Sequence, residues 1–405
     1  MGNVIVAQSG GPTVAINASL AGVIEGTIGS NYDKIYGSIN GILGIRDDNI
    51  IDLSSIVASD PHFLKRLKTT PAMYLGSCRF KLPAIDSGDP IYNTLFDQFN
   101  KYQIEAFFYI GGNDSMDTVD KLSAYAAQIG SDIRFVGVPK TVDNDLCVTD
   151  HTPGFGSAAK YIATSTMEVI FDAQIYDNPS VTIIEVMGRD AGWLTAATSL
   201  AKTECCDGPD LIYLPEVAFD KEKFISDVKS ILGEKTNVVV AVSEGIRDAQ
   251  GEYISASTGT LDNFGHAQLS GAGKTLEYLV KDKLGVKVRS IEVNVLQRAA
   301  AHMSSLTDIN ESEAIGKKAV DIAEEGVTGA MVTMERISNA PYEIKFDYAK
   351  IHDIANEAKE VPQNWINSEH NGVTSDMVMY LKPLVIGLPD VEYKDGLPVY
   401  VSREN

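Results

Sequence analysis

Cationic side chains are scarce in this 405-residue chain: 34 Lys and Arg stand against 55 Asp and Glu, a formal net charge of −21. Such a surplus repels a phosphate backbone, which excludes nucleic-acid binding through a general positive surface. An anionic substrate must instead be held by a few locally placed basic groups. Cysteine is also sparse, with only Cys78, Cys147, Cys205 and Cys206. No CxxC pair or zinc-like spacing occurs among them, and the adjacent Cys205 and Cys206 make a poor disulfide, so a stapled scaffold is not expected. No apolar run approaches the roughly 18 residues that a membrane helix needs. The opening MGNVIVAQSGGP runs straight into a strand, with neither a signal-peptide pattern nor the Ser or Thr of a myristoylation signal. The expectation is a globular cytoplasmic protein with no membrane attachment. Its 44% hydrophobic content excludes disorder, and at about 150 residues per domain the length suits two to three domains.

What is present is an alternation. Short apolar runs at residues 3–7, 106–110, 135–138, 181–186 and 238–242 each lead into a turn and then a helix-like segment. Continuous apolar runs of this length read as buried parallel strands. Their alternation with helices predicts a doubly wound α/β architecture, which binds ligands at the carboxyl ends of its strands. Residues 51–86 are less regular and read as an excursion from the sheet. Beyond about residue 340 the pattern is mixed, and there is no internal repeat.

The turns carry the chemistry. NVIVAQSGGPT predicts a strand running into Ser9-Gly10-Gly11 and a helix from near Thr13 or Ala15; backbone amides there suit a phosphate, or the turn is an ordinary tight one. It matches neither GxGxxG nor GxxxxGK[ST]. In AFFYIGGNDSMDT, Gly111-Gly112 would bring backbone close to a ligand, while Asn113, Asp114 and Ser115 either cap a helix or set specificity. In FVGVPKTVDND, Asp143 and Asp145 would point the same way from an extended loop. Two like charges need a metal, a cation or solvent, and Lys140 supplies a cation nearby. VTIIEVMGRDAG places Arg189 after a strand, where it suits phosphate or merely covers a turn. VVVAVSEGI places Glu244 at another strand end, and VRSIEVNVLQR spaces Arg289 and Arg298 nine residues apart. With Arg79 in LGSCR, several arginines near glycine turns in so acidic a chain suggest an anion.

In this order, SGGP, LGSCR, GGNDS, PKTVDND, EVMGRDAG, VSEG and VLQR resemble the phosphofructokinase family over roughly residues 1–305. The resemblance implies two Rossmann-like lobes with parallel sheets and an active site in the cleft between them. It implies a donor lobe over residues 1–156, a sugar lobe over 157–296, and a segment 297–405 that returns to the lobes and adds an extension. By the same resemblance Asp143 is the general base for the 1-hydroxyl of fructose 6-phosphate. Thr141, Val142 and Asp145 share its sugar-binding loop, and Asp145 would partner magnesium or Arg189. Met187, Gly188 and Arg189 match the sugar-binding MGR, Glu244 accepts sugar hydroxyls, and Arg289 and Arg298 hold the 6-phosphate. Gly11, Arg79, Gly112, Asp114 and Lys140 match the donor side.

Two of these positions select the donor. ATP-using relatives carry GGDGS and PGT, so Asp114 stands where glycine would leave room for the α-phosphate, and Lys140 stands in place of a second glycine. Two unit charges about 4 Å apart repel by about 4 kcal/mol at an effective dielectric of about 20. At about 1.4 kcal/mol per decade, that approaches a factor of about a thousand against ATP. An Asp/Lys pair is the signature of pyrophosphate-dependent members, and Lys140 would stabilise the leaving phosphate. The chain also departs from the family. Asn113 replaces an aspartate associated with magnesium, leaving Mg2+ to lean on a neutral oxygen and on pyrophosphate. Ser180 replaces an arginine that reaches a neighbouring subunit's substrate, and Val295 replaces a polar residue. Ala21 and Glu25 replace effector-site arginines, so no control by ADP or phosphoenolpyruvate is expected. The expected assembly is a homodimer or homotetramer. An ATP-dependent kinase and a non-catalytic sugar-phosphate-binding regulatory subunit are the alternatives; a dinucleotide dehydrogenase is disfavoured because no GxGxxG follows a strand.

Overall fold

The structure is a computed structural model that describes residues 2–255, 271–353 and 358–403. Besides a two-residue hairpin pair at Tyr393–Lys394 and Leu397–Pro398, its strands are β1 (Asn3–Gln8), β2 (Ile35–Ser38), β3 (Ile50–Asp52), β4 (Ile104–Gly111), β5 (Arg134–Pro139), β6 (Ser180–Val186), β7 (Leu211–Tyr213), β8 (Asn237–Ser243), β9 (Lys287–Glu292), β10 (Ala330–Asn339) and β11 (Tyr342–Lys350). They form a seven-stranded sheet in the order β11-β10-β5-β4-β1-β2-β3 and a four-stranded sheet in the order β7-β8-β6-β9. The smaller sheet is parallel throughout. The larger is parallel in its centre, and antiparallel β3 and β11 close its two edges. This is the expected doubly wound α/β fold in two lobes.

The five apolar runs become β1, β4, β5, β6 and β8 because helices cover both of their faces. Residues on β1 alternate between two cores. Val4 and Val6 pack with the Ile16–Ile28 helix, and Ile5 and Ala7 pack with Phe99, Phe107 and Phe135 on the other side. The excursion over residues 51–86 holds β3 and two short helices, Leu53–Ser59 and Phe63–Thr69, which lie against the first core.

The chain then leaves for the second lobe and returns. The Leu306–Glu324 helix starts at Ser305, whose hydroxyl accepts from the Asp308 amide. It packs on the Ile16–Ile28 helix through glycines. A Cβ on Gly22 would lie 2.0 Å from the Glu313 carbonyl oxygen, and one on Gly316 would lie 2.2 Å from that of Ser19. Backbones this close admit no side chain, so the pair anchors the returning segment to the start of the chain.

Gly316→Ala should therefore destabilise the protein by roughly 2–4 kcal/mol through overpacking against backbone, exceeding a helix-propensity gain of about 1 kcal/mol. Thermal denaturation checks this: an unchanged or raised midpoint would show that the two helices part freely.

Candidate active site

Strand order locates the site before any side chain does. In the larger sheet the chain runs from β1 to β2 on one side and then returns to place β4 on the other. Ligands bind at the carboxyl ends where the order switches. There Ser9-Gly10-Gly11 follows β1 and Gly111-Gly112 follows β4, with Lys140 at the end of β5 alongside; its amide donates to the Gly111 carbonyl at 2.9 Å. Gly10 has φ +78, and a Cβ on it would sit 3.1 Å from the Lys140 ammonium. Lys140 Nζ donates to the Gly11 carbonyl at 2.7 Å, and a Cβ on Gly11 would sit 3.1 Å from Arg298 Nη1. The turn thus faces two cations at close range.

The loop carrying Arg79 is tied to the same turn and its flanking elements by polar side chains. Gln8 Oε1 accepts from the Leu75 amide at 2.9 Å, Asn17 Oδ1 accepts from the Tyr74 amide at 2.9 Å, and Ser77 Oγ donates to the Gly10 carbonyl at 2.8 Å. Arg79 is close enough to oppose the charge of Arg298. The Asn113–Ile129 helix begins with Gly112 at its N-cap and no side-chain cap, so none of Asn113, Asp114 and Ser115 serves as one. Asp114 is exposed in the first turn, while Asn113 Oδ1 is buried without a hydrogen-bond partner.

Asp143 and Asp145 come together as expected, but not on extended chain. Asn144 between them is left-handed at φ +54, a conformation asparagine tolerates better than most residues. Burial raises the Asp143 pKa, and the like charges of Asp145 and Glu244 raise it further, against Lys140 and Arg189. Burial raises Asp145 as well, opposed by hydrogen bonds and by Lys140 and Lys359. Arg189 is thus one of the two cations that oppose the rise of Asp143. Lys140 is 3% exposed; burial pulls its pKa down to about 8, against the pull of Asp143 and Asp145, with Arg298 adding to the fall. Thr141 Oγ1 accepts from the Asp143 amide at 3.1 Å, and Val142 is buried in the second lobe's core.

The second lobe supplies the opposite wall. Met187-Gly188-Arg189 follows β6 and Glu244 follows β8, adjacent strands whose carboxyl ends coincide. Glu244 Oε1 accepts from the Gly188 amide at 3.4 Å; burial raises its pKa, opposed by that bond, Arg189 and Arg298. Gln297 Oε1 accepts from the Met187 amide at 3.2 Å. Arg189 Nε is buried without a partner.

The structure separates Arg289 from this group. It lies in the middle of β9, opposite Thr182, and its guanidinium pairs with Asp172 at 3.0 Å on the surface. Nine residues of separation span a strand and a loop here, so only Arg298 reaches the cleft. Ser180 lies at the amino end of β6, bonded to Asn237, and Val295 is 50% exposed. Glu25 pairs with Lys317 at 2.7 Å and Lys68 at 3.6 Å, while Ala21 is in the core. Sequence reasoning missed Gln8, Asn17, Gln297 and Lys359. Gln297 lies within the VLQR motif, whereas nothing around Lys359 marks it.

These features have known counterparts. The family model for phosphofructokinase matches residues 3–323. The pyrophosphate–fructose 6-phosphate 1-phosphotransferase of Xanthomonas campestris is 42% identical over 407 residues, covering 100% of this chain and 96% of its own. Its namesake from Halomonas elongata is 40% identical, covering 98% and 94%. The crystal structure of a pyrophosphate-dependent phosphofructokinase from Nitrosospira multiformis superposes with a TM-score of 0.88 at 39% identity, covering 98% of this chain and 95% of that one. The chain belongs to the phosphofructokinase family.

Because Asp145 is the first like charge facing Asp143, Asp145→Asn should lower the Asp143 pKa. An NMR titration of 13C-labelled aspartates checks this, and an unmoved Asp143 would mean that the Asp145 charge does not contribute to its value.

Proposed function

We propose that this chain catalyses reversible phosphoryl transfer from pyrophosphate to the 1-hydroxyl of fructose 6-phosphate, giving fructose 1,6-bisphosphate and phosphate. The observation that carries this is the buried Lys140 ammonium, set between the Gly10-Gly11 turn and the Asp143 carboxylate. In ATP-using relatives that position is glycine. An ammonium there offers a compact inorganic anion the charge that a nucleotide's longer phosphate chain would not need. The names of the relatives and the superposable structure support the same donor and acceptor.

Asp143 would take the proton of the sugar 1-hydroxyl as its oxygen attacks the terminal phosphorus. The bond to the bridging oxygen breaks, and phosphate leaves beside Lys140. In a loose transition state little deprotonation is needed early, so a carboxylate of modest basicity suffices. Gly11, Gly112 and Arg79 would line the donor's phosphates, with Arg298 facing both substrates. Glu244, Met187, Gly188 and Arg189 would hold the sugar, with Thr141 and Val142 framing the loop. Arg289 would serve the 6-phosphate only from outside its own cleft. Pyrophosphate and sugar-phosphate esters differ little in free energy, so the step runs both ways.

Mg2+ fits as a partner of the donor. Among the described residues no three His, Cys, Asp or Glu converge to hold a metal, while the unpartnered Asn113 Oδ1 offers one hard oxygen ligand. Bound to pyrophosphate, Mg2+ would neutralise negative charge on the transferring group. The same reading makes the enzyme cytoplasmic and homo-oligomeric. No helix among the described residues is long and apolar enough to cross a membrane.

The magnitude of donor selection changes with the structure. Asp114 is exposed, so its repulsion of an α-phosphate about 4 Å away falls toward the roughly 1 kcal/mol of a fully watery path. That is only about a fivefold preference. Lys140, buried, then carries the larger share. Lys140→Gly should reduce kcat/KM for pyrophosphate by at least about a hundredfold, and Asp114→Gly should change it far less while relieving the bar against ATP. Assays with each donor, with and without Mg2+, decide: equal wild-type rates with ATP and pyrophosphate would favour the ATP-dependent alternative. Asp143→Asn should lower kcat by about 10² to 10⁴ while sparing fructose 6-phosphate binding; retained turnover would place the base elsewhere.

A further inference from the structure

The C-terminal segment places a second buried lysine beneath the catalytic loop. Ala358 forms an antiparallel bridge with Leu146, and the Lys359 amide donates to the Asp145 carbonyl at 2.8 Å. The Lys359 ammonium donates to Asn144 Oδ1 at 3.3 Å, to the Thr149 carbonyl at 3.1 Å and to the Asp150 carbonyl at 2.7 Å. An ammonium has three donors, so all are used and none is left for a substrate. Its own backbone is held in turn: the Lys359 carbonyl accepts from Trp193 Nε1 at 2.8 Å, and the indole ring lies 5.2 Å from the ammonium.

Asn144 is gripped from its other end. Its Nδ2 donates to the Tyr380 hydroxyl at 2.9 Å, which donates to the Asp150 carbonyl at 2.7 Å. Arg336 stacks over Tyr380 at 4.4 Å and pairs with Asp150 at 2.8 Å. Both ends of the one left-handed residue between Asp143 and Asp145 are therefore clamped by residues beyond position 350.

We propose that Lys359 is a positioning residue for phosphoryl transfer: by fixing the Asn144 amide and the Asp145 backbone, it sets the direction of the Asp143 carboxylate. This gives the C-terminal segment a role in the reaction without contact with either substrate. The proposed role rests on Asp143 being the base.

The test is a kinetic cycle in the full-length enzyme with pyrophosphate, Mg2+ and fructose 6-phosphate. Lys359→Met keeps the side-chain length and removes the charge; Asn144→Gly removes the amide and keeps the left-handed backbone. Each should lower kcat by about a hundredfold, the effect of a small misplacement of the base, with KM for pyrophosphate held within about twofold. The double variant should be no slower than the worse single one, because Lys359 acts through Asn144. Full kcat in Lys359→Met, or losses that multiply in the double variant, would overturn the proposal. If Lys359→Met does not fold, judged by its thermal transition, Tyr380→Phe replaces it in the same cycle and is read by the same two outcomes. Asp143→Asn run alongside separates the failures: turnover retained there removes the base assignment, whereas turnover lost there and kept in Lys359→Met removes only the positioning role.

Discussion

A buried ammonium held against acidic side chains is the interaction on which the site depends. Burial pulls the Lys140 pKa down to about 8, and Asp143 and Asp145 offset part of what burial takes away. Those carboxylates in turn are less strained in their ionised form because the ammonium is there. Neither partner is affordable alone in so enclosed a place. The glycine turn after β1 makes the arrangement possible, since side chains at Gly10 and Gly11 would crowd the positions the Lys140 ammonium and the Arg298 guanidinium occupy.

The protein solves the general problem of an acidic chain that must hold anions. With a net charge of −21, long-range attraction works against it, and only short-range, desolvated cations can prevail. Lys140, Arg189 and Arg298 are all drawn to one crevice around Asp143. Carboxylates interleave with them, so the crevice is polar and finely balanced instead of uniformly positive.

How much of this was legible in the sequence follows from where the physics is local. Strands covered on both faces announce themselves as unbroken apolar runs, so β1, β4, β5, β6 and β8 can be read directly. Strands with an exposed face or edge do not: β9 reads KVRSIE and β11 reads YEIKFDYAK, with charges spaced along both. Motifs at strand ends were legible because one short stretch holds the turn and its functional side chain together. Arg289 reads as equivalent to Arg298, and only the pairing of β9 with β6 shows that they lie on different surfaces. Lys359 carries no local signal at all. Its meaning comes from the bridge of the preceding Ala358 to Leu146, more than two hundred residues earlier in the chain.

The order of strands in the larger sheet has a consequence for biosynthesis. β5 and β10 are parallel neighbours, yet the entire smaller sheet is encoded between them. A ribosome therefore releases the first five strands with one flank bare, then the four strands of the smaller sheet, and only afterwards the two strands that seal that flank. Until the Leu306–Glu324 helix settles on the opening helix the nascent protein carries an uncovered apolar face, and until β10 follows it the hydrogen-bonding border of β5 stays open. Completion of the larger sheet is thus a late step that joins its opening strands to a segment made after the smaller sheet.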